Sequence, residues 1–164
     1  MKHIIDAERL RSPSARTQGS IALEQRGCPV NELRERLRAK GLRPTRQRIL
    51  LGWMLFGKGH RHITAEALFE EAKRADGALS LATVYNTLNQ FTEFGLLRQV
   101  VVGAGKAYFD TNTGDHHHFA VEGEDTMFDV PAGALTVTGS PSAPPGFAVI
   151  GVEVVVRLKR IGDV

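Results

Sequence analysis

The sequence of 164 residues predicts an α+β fold, with helices in its first half and strands in its second. Up to about residue 94, apolar residues recur every three or four positions behind capping residues, which is typical of amphipathic helices. After Gly95 the apolar residues alternate along short segments bounded by glycine, which is typical of strands. We therefore predict two domains, over residues 28–110 and 111–164, preceded by a mobile arm over residues 1–27.

Four helices are predicted from their starts, ends and apolar faces. Thr45, Thr64 and Ser80 are suitable N-caps for the second, third and fourth, because their hydroxyls can accept a hydrogen bond from a free backbone N–H. Pro29 suits the first turn of the first helix, and Gly41 suits its end. The residues predicted to face inward are, in helix order, Val30, Leu33 and Leu37; Ile49, Leu50, Trp53, Met54 and Phe56; Ala65, Leu68, Phe69 and Ala72; and Leu81, Val84, Leu88 and Phe91.

A hairpin is predicted next, with strands over residues 96–102 and 106–110 joined by a Gly-Ala-Gly turn. The remaining strands are predicted over residues 116–122, 126–130 and 147–159. The Gly-, Pro- and Ser-rich stretch 131–146 is predicted to be a loop, with room for a short helix at 132–137.

The composition excludes several classes of protein. No apolar run approaches the roughly 20 residues of a membrane span, and residues 1–7 lack the apolar stretch of a secretion signal, so we expect a cytoplasmic protein with no membrane partner. The single cysteine, Cys28, forms no internal disulfide and cannot supply a four-thiolate zinc site. Residues 1–64 hold 14 Lys and Arg against 5 Asp and Glu, whereas residues 65–164 hold 7 against 13. A basic first half is expected of a surface that meets phosphates, and a basic surface exposed only to solvent is the alternative interpretation.

Short helices closed by a glycine-turned hairpin are the pattern of a winged helix-turn-helix, in which the last helix enters the major groove of DNA. The outward residues of the predicted fourth helix are Thr83, Tyr85, Asn86, Thr87, Asn89 and Gln90. These neutral hydrogen-bonding groups suit base edges, and Arg43, Arg46 and Arg48 lie near enough in sequence to hold phosphates. A polar face exposed to solvent is the alternative interpretation.

A group of histidines and carboxylates predicts a metal site. His116 and His118 share one face of the predicted strand over residues 116–122, and His117 points to the other face. The other candidates are Asp110 at the end of the hairpin, His62 before the third helix and Asp129 on the next strand. Imidazoles mixed with carboxylates suit Fe(II), Mn(II) or Zn(II). For an isolated histidine triplet, exposed side chains without a ligand role are the alternative.

Cys28 stands directly before Pro29 at the start of the first helix, where the helix dipole would favour a thiolate. Cys-Pro is also a local pattern by which some regulators ligate haem iron. A small buried hydrophobic side chain is the alternative role for a single cysteine.

Four stretches of the sequence form a recognisable set: Gly41–Arg48 (GLRPTRQR), His62–Glu66 (HITAE), Ser80–Leu88 (SLATVYNTL) and the triplet His116–His118. Together they resemble the ferric uptake regulator superfamily over about residues 30–160. The run Leu51–Gly59 (LGWMLFGKG), and Phe119 after the triplet, resemble the iron response regulator branch in particular.

The resemblance implies a homodimeric, DNA-binding transcriptional regulator with an N-terminal winged-helix domain and a small C-terminal α/β dimerisation domain. Its site would be a pseudo-palindrome in AT-rich double-stranded promoter DNA. Tyr85 would contact thymines and Arg43 would reach the minor groove. Backbone contacts are implied for Ser80, Thr83, Arg46 and Arg48. Asn86 stands where most relatives have Arg, which implies a different sequence preference.

The resemblance also implies the regulatory ligands. The metal would be held by His62, Asp110, His116, His118 and Asp129. In iron response regulators the signal is haem, for which the implied ligands are Cys28, His117 and His118. The Cys-x-x-Cys pairs that hold structural zinc in many relatives are absent from this sequence, so apolar packing of the segment 147–159 would have to stabilise the dimer.

The function predicted from the sequence is a cytoplasmic regulator of iron homeostasis, not an enzyme, that responds to haem or to divalent Fe, Mn or Zn. Ligand bound between the two domains would set the spacing of the two reading helices in the dimer. The alternatives are a Mn(II)- or Fe(II)-dependent repressor without a haem response, a regulator whose histidine triplet is inert, and a small metalloenzyme that uses the His/Asp cluster.

Overall fold

The computed structural model describes residues 30–75, 78–103, 105–139 and 141–162. The predicted arm over residues 1–27, together with Cys28 and Pro29, lies outside the described residues. Within the described residues the helices precede the strands, apart from a two-residue strand at His62–Ile63, and the predicted mixed helix and sheet fold is confirmed.

The helices are α1 (Val30–Ala39), α2 (Arg46–Phe56), α3 (Ala65–Arg74) and α4 (Leu81–Glu93). Two of the predicted caps are confirmed. The hydroxyl of Thr64 accepts from the N–H of Ala67 at 3.2 Å, and that of Ser80 accepts from the N–H of Thr83 at 3.1 Å. Thr45 precedes α2 in the extended conformation of an N-cap, but its side chain makes no capping hydrogen bond.

A glycine just after the helix terminates both α1 and α4 in the same way. Gly41 and Gly95 have φ of 78° and 66°, a left-handed conformation in which a side chain would be strained. The next residue then reaches back to the helix: Leu42 N–H donates to the carbonyl of Leu37 at 2.8 Å, and Leu96 N–H donates to that of Phe91 at 2.7 Å. Both turns direct the chain back into the core.

The helices enclose an apolar core in which Leu33, Leu37, Leu68, Leu88 and Phe91 are fully buried. Burying a side chain of this size contributes about 1.5–3 kcal/mol relative to leaving it exposed.

The predicted inward face of α2 was partly wrong. Leu51 and Leu55 are fully buried, whereas Trp53 is 49% exposed. Because α2 is apolar on nearly every side, its sequence does not indicate which side packs on the core.

Thr87, predicted on the outward face of α4, is buried, and its hydroxyl donates to the carbonyl of Thr83.

The strands form two three-stranded sheets. They are β1 (His62–Ile63), β2 (Arg98–Val102), β3 (Lys106–Asp110), β4 (His118–Val121), β5 (Met127–Asp129) and β6 (Val155–Leu158). The first sheet has the order β1-β3-β2 and is antiparallel, and the second has the order β5-β4-β6 with β4 and β6 parallel. Residues from both sheets meet in a second apolar cluster that contains Val100, Tyr108, Ala120 and Met127.

Several predicted strands were wrong in extent. β1 was missed, because two residues are too short to show an alternating pattern. β4 begins at His118, so His116 and His117 precede the strand. Of the long strand predicted over residues 147–159, only the four residues of β6 are in a strand. Phe147 and Ile150 lie before β6 and are exposed. Residues 132–137 form a turn and loop in place of the possible helix.

We expect Thr64→Ala to lower the free energy of unfolding by about 1 kcal/mol, because α3 loses its capping acceptor. Thr45→Ala removes the same atoms from a cap that makes no hydrogen bond, and it should cost clearly less. Urea unfolding of the two variants measures the difference. Equal losses would show that the cap of α3 contributes nothing beyond side-chain packing.

Candidate metal centre and nucleic-acid interface

Strand register brings the five predicted metal ligands together. β1 pairs with β3 so that His62 lies opposite Asp110, and β4 pairs with β5 so that His118 lies opposite Asp129. His116 joins them from the loop before β4. Each sheet therefore presents one histidine and one carboxylate on paired strands at the place where the two sheets meet.

One ligand atom from each of the five residues lies within 4.8 Å of the others. Nε2 of His116 is 2.9 Å from Oδ2 of Asp110, and Nε2 of His62 is 2.9 Å from Oδ1 of Asp129. Nε2 of His118 is 3.4 Å from the same Oδ2 of Asp110. Both His118 and Asp110 are fully buried. We call these five residues the His/Asp cluster.

The contact between Nε2 of His118 and Oδ2 of Asp110 is aligned as a hydrogen bond, but other close contacts of the cluster are not. Nε2 of His62, Nε2 of His116 and Oδ1 of Asp129 are buried and have no hydrogen-bond partner, although each lies near an oppositely polar atom. Nδ1 of His116 donates to the carbonyl of Gly114 at 2.8 Å, since a carbonyl only accepts. In the neutral ring, the lone pair of Nε2 then faces the Asp110 carboxylate. Two electron-rich atoms tolerate this arrangement only with a proton or a metal cation between them.

The charges of the cluster suit a divalent cation. Burial alone raises the pKa of Asp110, but the polar contact with His62 and the hydrogen bond from the Asn112 N–H outweigh it, and the net shift lowers that pKa. Burial lowers the pKa of His118, as do the positive charges that His116 and His62 can carry, against an opposing contribution from Asp110. An ionised carboxylate and a neutral imidazole are the forms that bind metal. Three imidazoles with two carboxylates suit Fe(II), Mn(II) or Zn(II).

Of the predicted haem ligands, Cys28 lies outside the described residues. His118 is enclosed within the cluster. His117 is partly buried, and its Nδ1 accepts the N–H of Val154 at 3.3 Å. The ring lines an open groove of about 550 Å³, whose apolar walls include Val130, Leu135 and Val152. His116 and Asp129 line the same groove, so His117 lies outside the His/Asp cluster but next to it.

The predicted DNA-contacting residues lie along α4 and at the start of α2. Tyr85 and Asn86 are exposed on α4, and Arg43 and Arg46 are exposed before and at the start of α2. Thr83 is partly buried, with its hydroxyl 2.9 Å from that of Ser80. The structure thus leaves most of these side chains available at the surface.

Arg48 differs from Arg43 and Arg46 because its donors are used within the protein. Nε and Nη2 donate to Oε1 of Gln90 at 3.2 and 2.8 Å, and Nη1 donates to the carbonyl of Arg43 at 2.7 Å. Arg48 therefore joins α2 to α4 and fixes the turn that carries Arg43. The predicted phosphate contact by Arg48 stays a prediction.

Sequence reasoning missed three residues at these surfaces. Glu66, in the first turn of α3, accepts a hydrogen bond from the Tyr85 hydroxyl. Glu153 and Arg98 lie beside the His/Asp cluster, with Oε1 of Glu153 2.9 Å from Nδ1 of His118. Glu66 belongs to the quoted stretch His62–Glu66, but nothing local indicates its pairing with Tyr85, and no local pattern indicates Glu153 or Arg98, because each meets its partner only through tertiary contact.

Comparison with known proteins gives both a family and a fold. A family model described as the ferric uptake regulator family matches residues 39–131. The chain is similar to the peroxide-responsive repressor PerR of Staphylococcus aureus, with 30% identity over 104 residues that span 63% of this chain and 69% of that protein.

The fold is similar to the solved ferric uptake regulator of Vibrio cholerae, with a TM-score of 0.61 and 20% identity over 77% of this chain and 98% of that one. It is also similar to that of Pseudomonas aeruginosa with manganese, with a TM-score of 0.58 and 22% identity over 78% and 97%.

We expect Tyr85→Phe to raise the pKa of Glu66, because the hydrogen bond from the Tyr85 hydroxyl is the main cause that lowers it. The carboxylate would then take up its proton at a higher pH than in the unaltered protein. A ¹³C NMR titration of the glutamate carboxyls measures the shift. Glu124, whose pKa is lowered mainly by its hydrogen bond with Arg160, is the internal control and should not move. An unchanged Glu66 titration would mean that the two side chains do not pair in solution.

Proposed function

This chain belongs to the ferric uptake regulator family, and we propose that it is a metal-responsive transcriptional regulator that binds promoter DNA as a homodimer. The observation that carries this proposal is the His/Asp cluster, which draws ligands from both sheets to one point. Members of the family are transcriptional regulators and not enzymes, which disfavours the metalloenzyme alternative.

We assign DNA reading to residues 28–110 as a winged helix. α4 would enter the major groove, where Tyr85 and Asn86 present hydrogen-bonding groups and an aromatic ring to base edges. Ser80 and Thr83, at the start of α4, and the exposed Arg43 and Arg46 would contact phosphates or the minor groove. The β2–β3 hairpin, which follows α4 directly, would serve as the wing.

Metal sensing is assigned to His62, Asp110, His116, His118 and Asp129. A bound Fe(II), Mn(II) or Zn(II) would supply positive charge that neutralises the two carboxylates and accepts the imidazole lone pairs. Among similar folds, the Pseudomonas aeruginosa regulator was solved with manganese. The chain's own contribution is to orient the ligands, as the Gly114 carbonyl does for the ring of His116 and the Asn112 N–H does for the carboxylate of Asp110.

The dimer would form through residues 111–164. Phe147, Val149, Ile150 and Val152 are exposed apolar side chains in the segment whose alternation predicts a long strand, and a second copy of the chain would cover them. Two copies place two reading helices on one DNA duplex, so a pseudo-palindromic, AT-rich site is the proposed target. Ligand at the junction of the sheets would adjust helix spacing to the groove repeat of about 34–36 Å.

A haem response is the second candidate, together with the iron response regulator branch and a role in iron homeostasis. His117 supports it, because its ring lines the groove and its Nδ1 already accepts a backbone N–H, which leaves Nε2 for iron. The metal response has the stronger support, since five converging ligands carry it. Titration of the protein–DNA complex with haemin in one sample and Mn(II) in another distinguishes the two candidates.

A cytoplasmic location remains our proposal. In the described ranges, none of the helices has the length and apolar character needed to traverse a bilayer.

We expect His62→Ala to weaken Mn(II) binding by roughly a hundredfold or more, because loss of a ligand should exceed the 10–100-fold cost typical of losing an outer partner. His60→Ala is the matched control: this exposed histidine is two residues away and outside the cluster. Isothermal titration of the full chain measures both affinities. Equal affinities for the two variants would contradict the assigned metal site.

We expect Arg46→Ala to weaken binding to an AT-rich palindromic duplex and to lower the slope of log affinity against log salt by about 1. Arg157→Ala removes the same charge from β6, where the side chain is 69% exposed. That control should leave the affinity and the slope nearly unchanged. Fluorescence anisotropy at several salt concentrations gives both quantities, and the same slope for both variants would remove Arg46 from the DNA interface.

A further inference from the structure

The second ring nitrogen of His118 faces a carboxylate outside the His/Asp cluster. His118 is fully buried, with Nε2 toward Asp110 and Nδ1 2.9 Å from Oε1 of Glu153. The ring and the carboxylate are close but not aligned as a hydrogen bond. Glu153 stands two residues before β6, and its side chain is 26% exposed. The imidazole therefore lies between two carboxylates, of which one belongs to the cluster.

Arg98 holds the groups that stand behind two of the histidines. Its Nη2 lies 3.6 Å from Oε1 of Glu153, and its Nη1 donates to the carbonyl of Gly114 at 3.0 Å. That carbonyl also accepts from Nδ1 of His116. A single guanidinium on β2 thus contacts the acceptor behind His116 and the acceptor behind His118.

In a metal-binding imidazole, a hydrogen-bond acceptor at the ring nitrogen that does not bind the metal has a defined effect. It fixes the proton on the far nitrogen, orients the ring and makes the near nitrogen a better donor to the metal. A carboxylate does this more strongly than a neutral acceptor, because the hydrogen bond is assisted by charge. Among the described residues, Glu153 supplies the carboxylate oxygen that lies near the buried Nδ1 of His118, whereas Asp110 lies near Nε2.

We propose that Glu153 and Arg98 are positioning residues of the metal site: Glu153 orients His118, and Arg98 fixes both Glu153 and the Gly114 carbonyl behind His116. This inference rests on the proposed metal-sensing function. Arg98 lies at the start of β2, directly opposite Asp110 in the strand register. The hairpin assigned as the wing therefore carries a residue that supports two metal ligands, and metal binding and hairpin placement are thermodynamically linked.

The test compares Glu153→Ala and Glu153→Gln in the full chain. Titration with Mn(II) should show about a 10–100-fold loss of affinity for Glu153→Ala. Glu153→Gln should retain part of that affinity, since its amide oxygen still accepts a hydrogen bond. Glu122→Gln is the matched control, because that exposed carboxylate pairs with Arg157 and is outside the cluster. It should bind Mn(II) like the unaltered chain.

A spectroscopic measurement separates positioning from general loss of structure. The Co(II) ligand-field absorption band should shift in Glu153→Ala and in Arg98→Gln, while circular dichroism and the melting temperature confirm that both variants fold. This inference would be overturned if both variants kept an unshifted band and an unchanged Mn(II) affinity. If His118→Ala lost metal binding in the same experiment, the proposed function would still stand. Failure of the unaltered chain to bind either metal would overturn both.

Discussion

The last three residues of β3 determine how the two halves of the molecule meet. Phe109 is buried in the helical core, Tyr108 lies in the apolar cluster between the sheets, and Asp110 is buried in the His/Asp cluster. Because successive side chains of a strand point to opposite faces, a slip of one residue would place Asp110 against the helical core. β1 and β2 pair with β3 on its two sides and fix that register, so the position of the site depends on it.

Burying the His/Asp cluster costs free energy that its own polar contacts offset only in part. A carboxylate taken out of water loses several kcal/mol of solvation, and polar contacts return only part of that loss. The contacts of Asp110 within the described residues are to imidazoles and to the backbone N–H of Asn112. A cluster with unpaired buried atoms contributes little to stability by itself. The proposed metal ion would satisfy those atoms together.

The hairpin is shared between the helices and the second sheet. Leu96, Leu97 and Phe109 pack in the helical core, whereas Val100 and Tyr108 pack between the sheets. Ion pairs of Arg98 with Glu153 and of Lys106 with Asp125 extend this contact at its edges. A change in the angle between the sheets therefore has to move the hairpin or break these contacts. Through this connection, the metal binding proposed at the junction would reach α4, the proposed reading helix.

The sequence by itself determined the helices, their caps at Thr64 and Ser80, and the residue types of the metal site, because helix periodicity and capping act within a few residues. It did not determine the two-residue β1, the buried side of α2 or the length of β6. Those features depend on partners distant in sequence: β1 on β3, and β6 on the four residues of β4. The same holds for the contacts of Glu66, Glu153 and Arg98, whose partners no local pattern indicates. Tertiary structure alone decided these contacts, because strand register and packing between elements bring together side chains that no short-range signal connects.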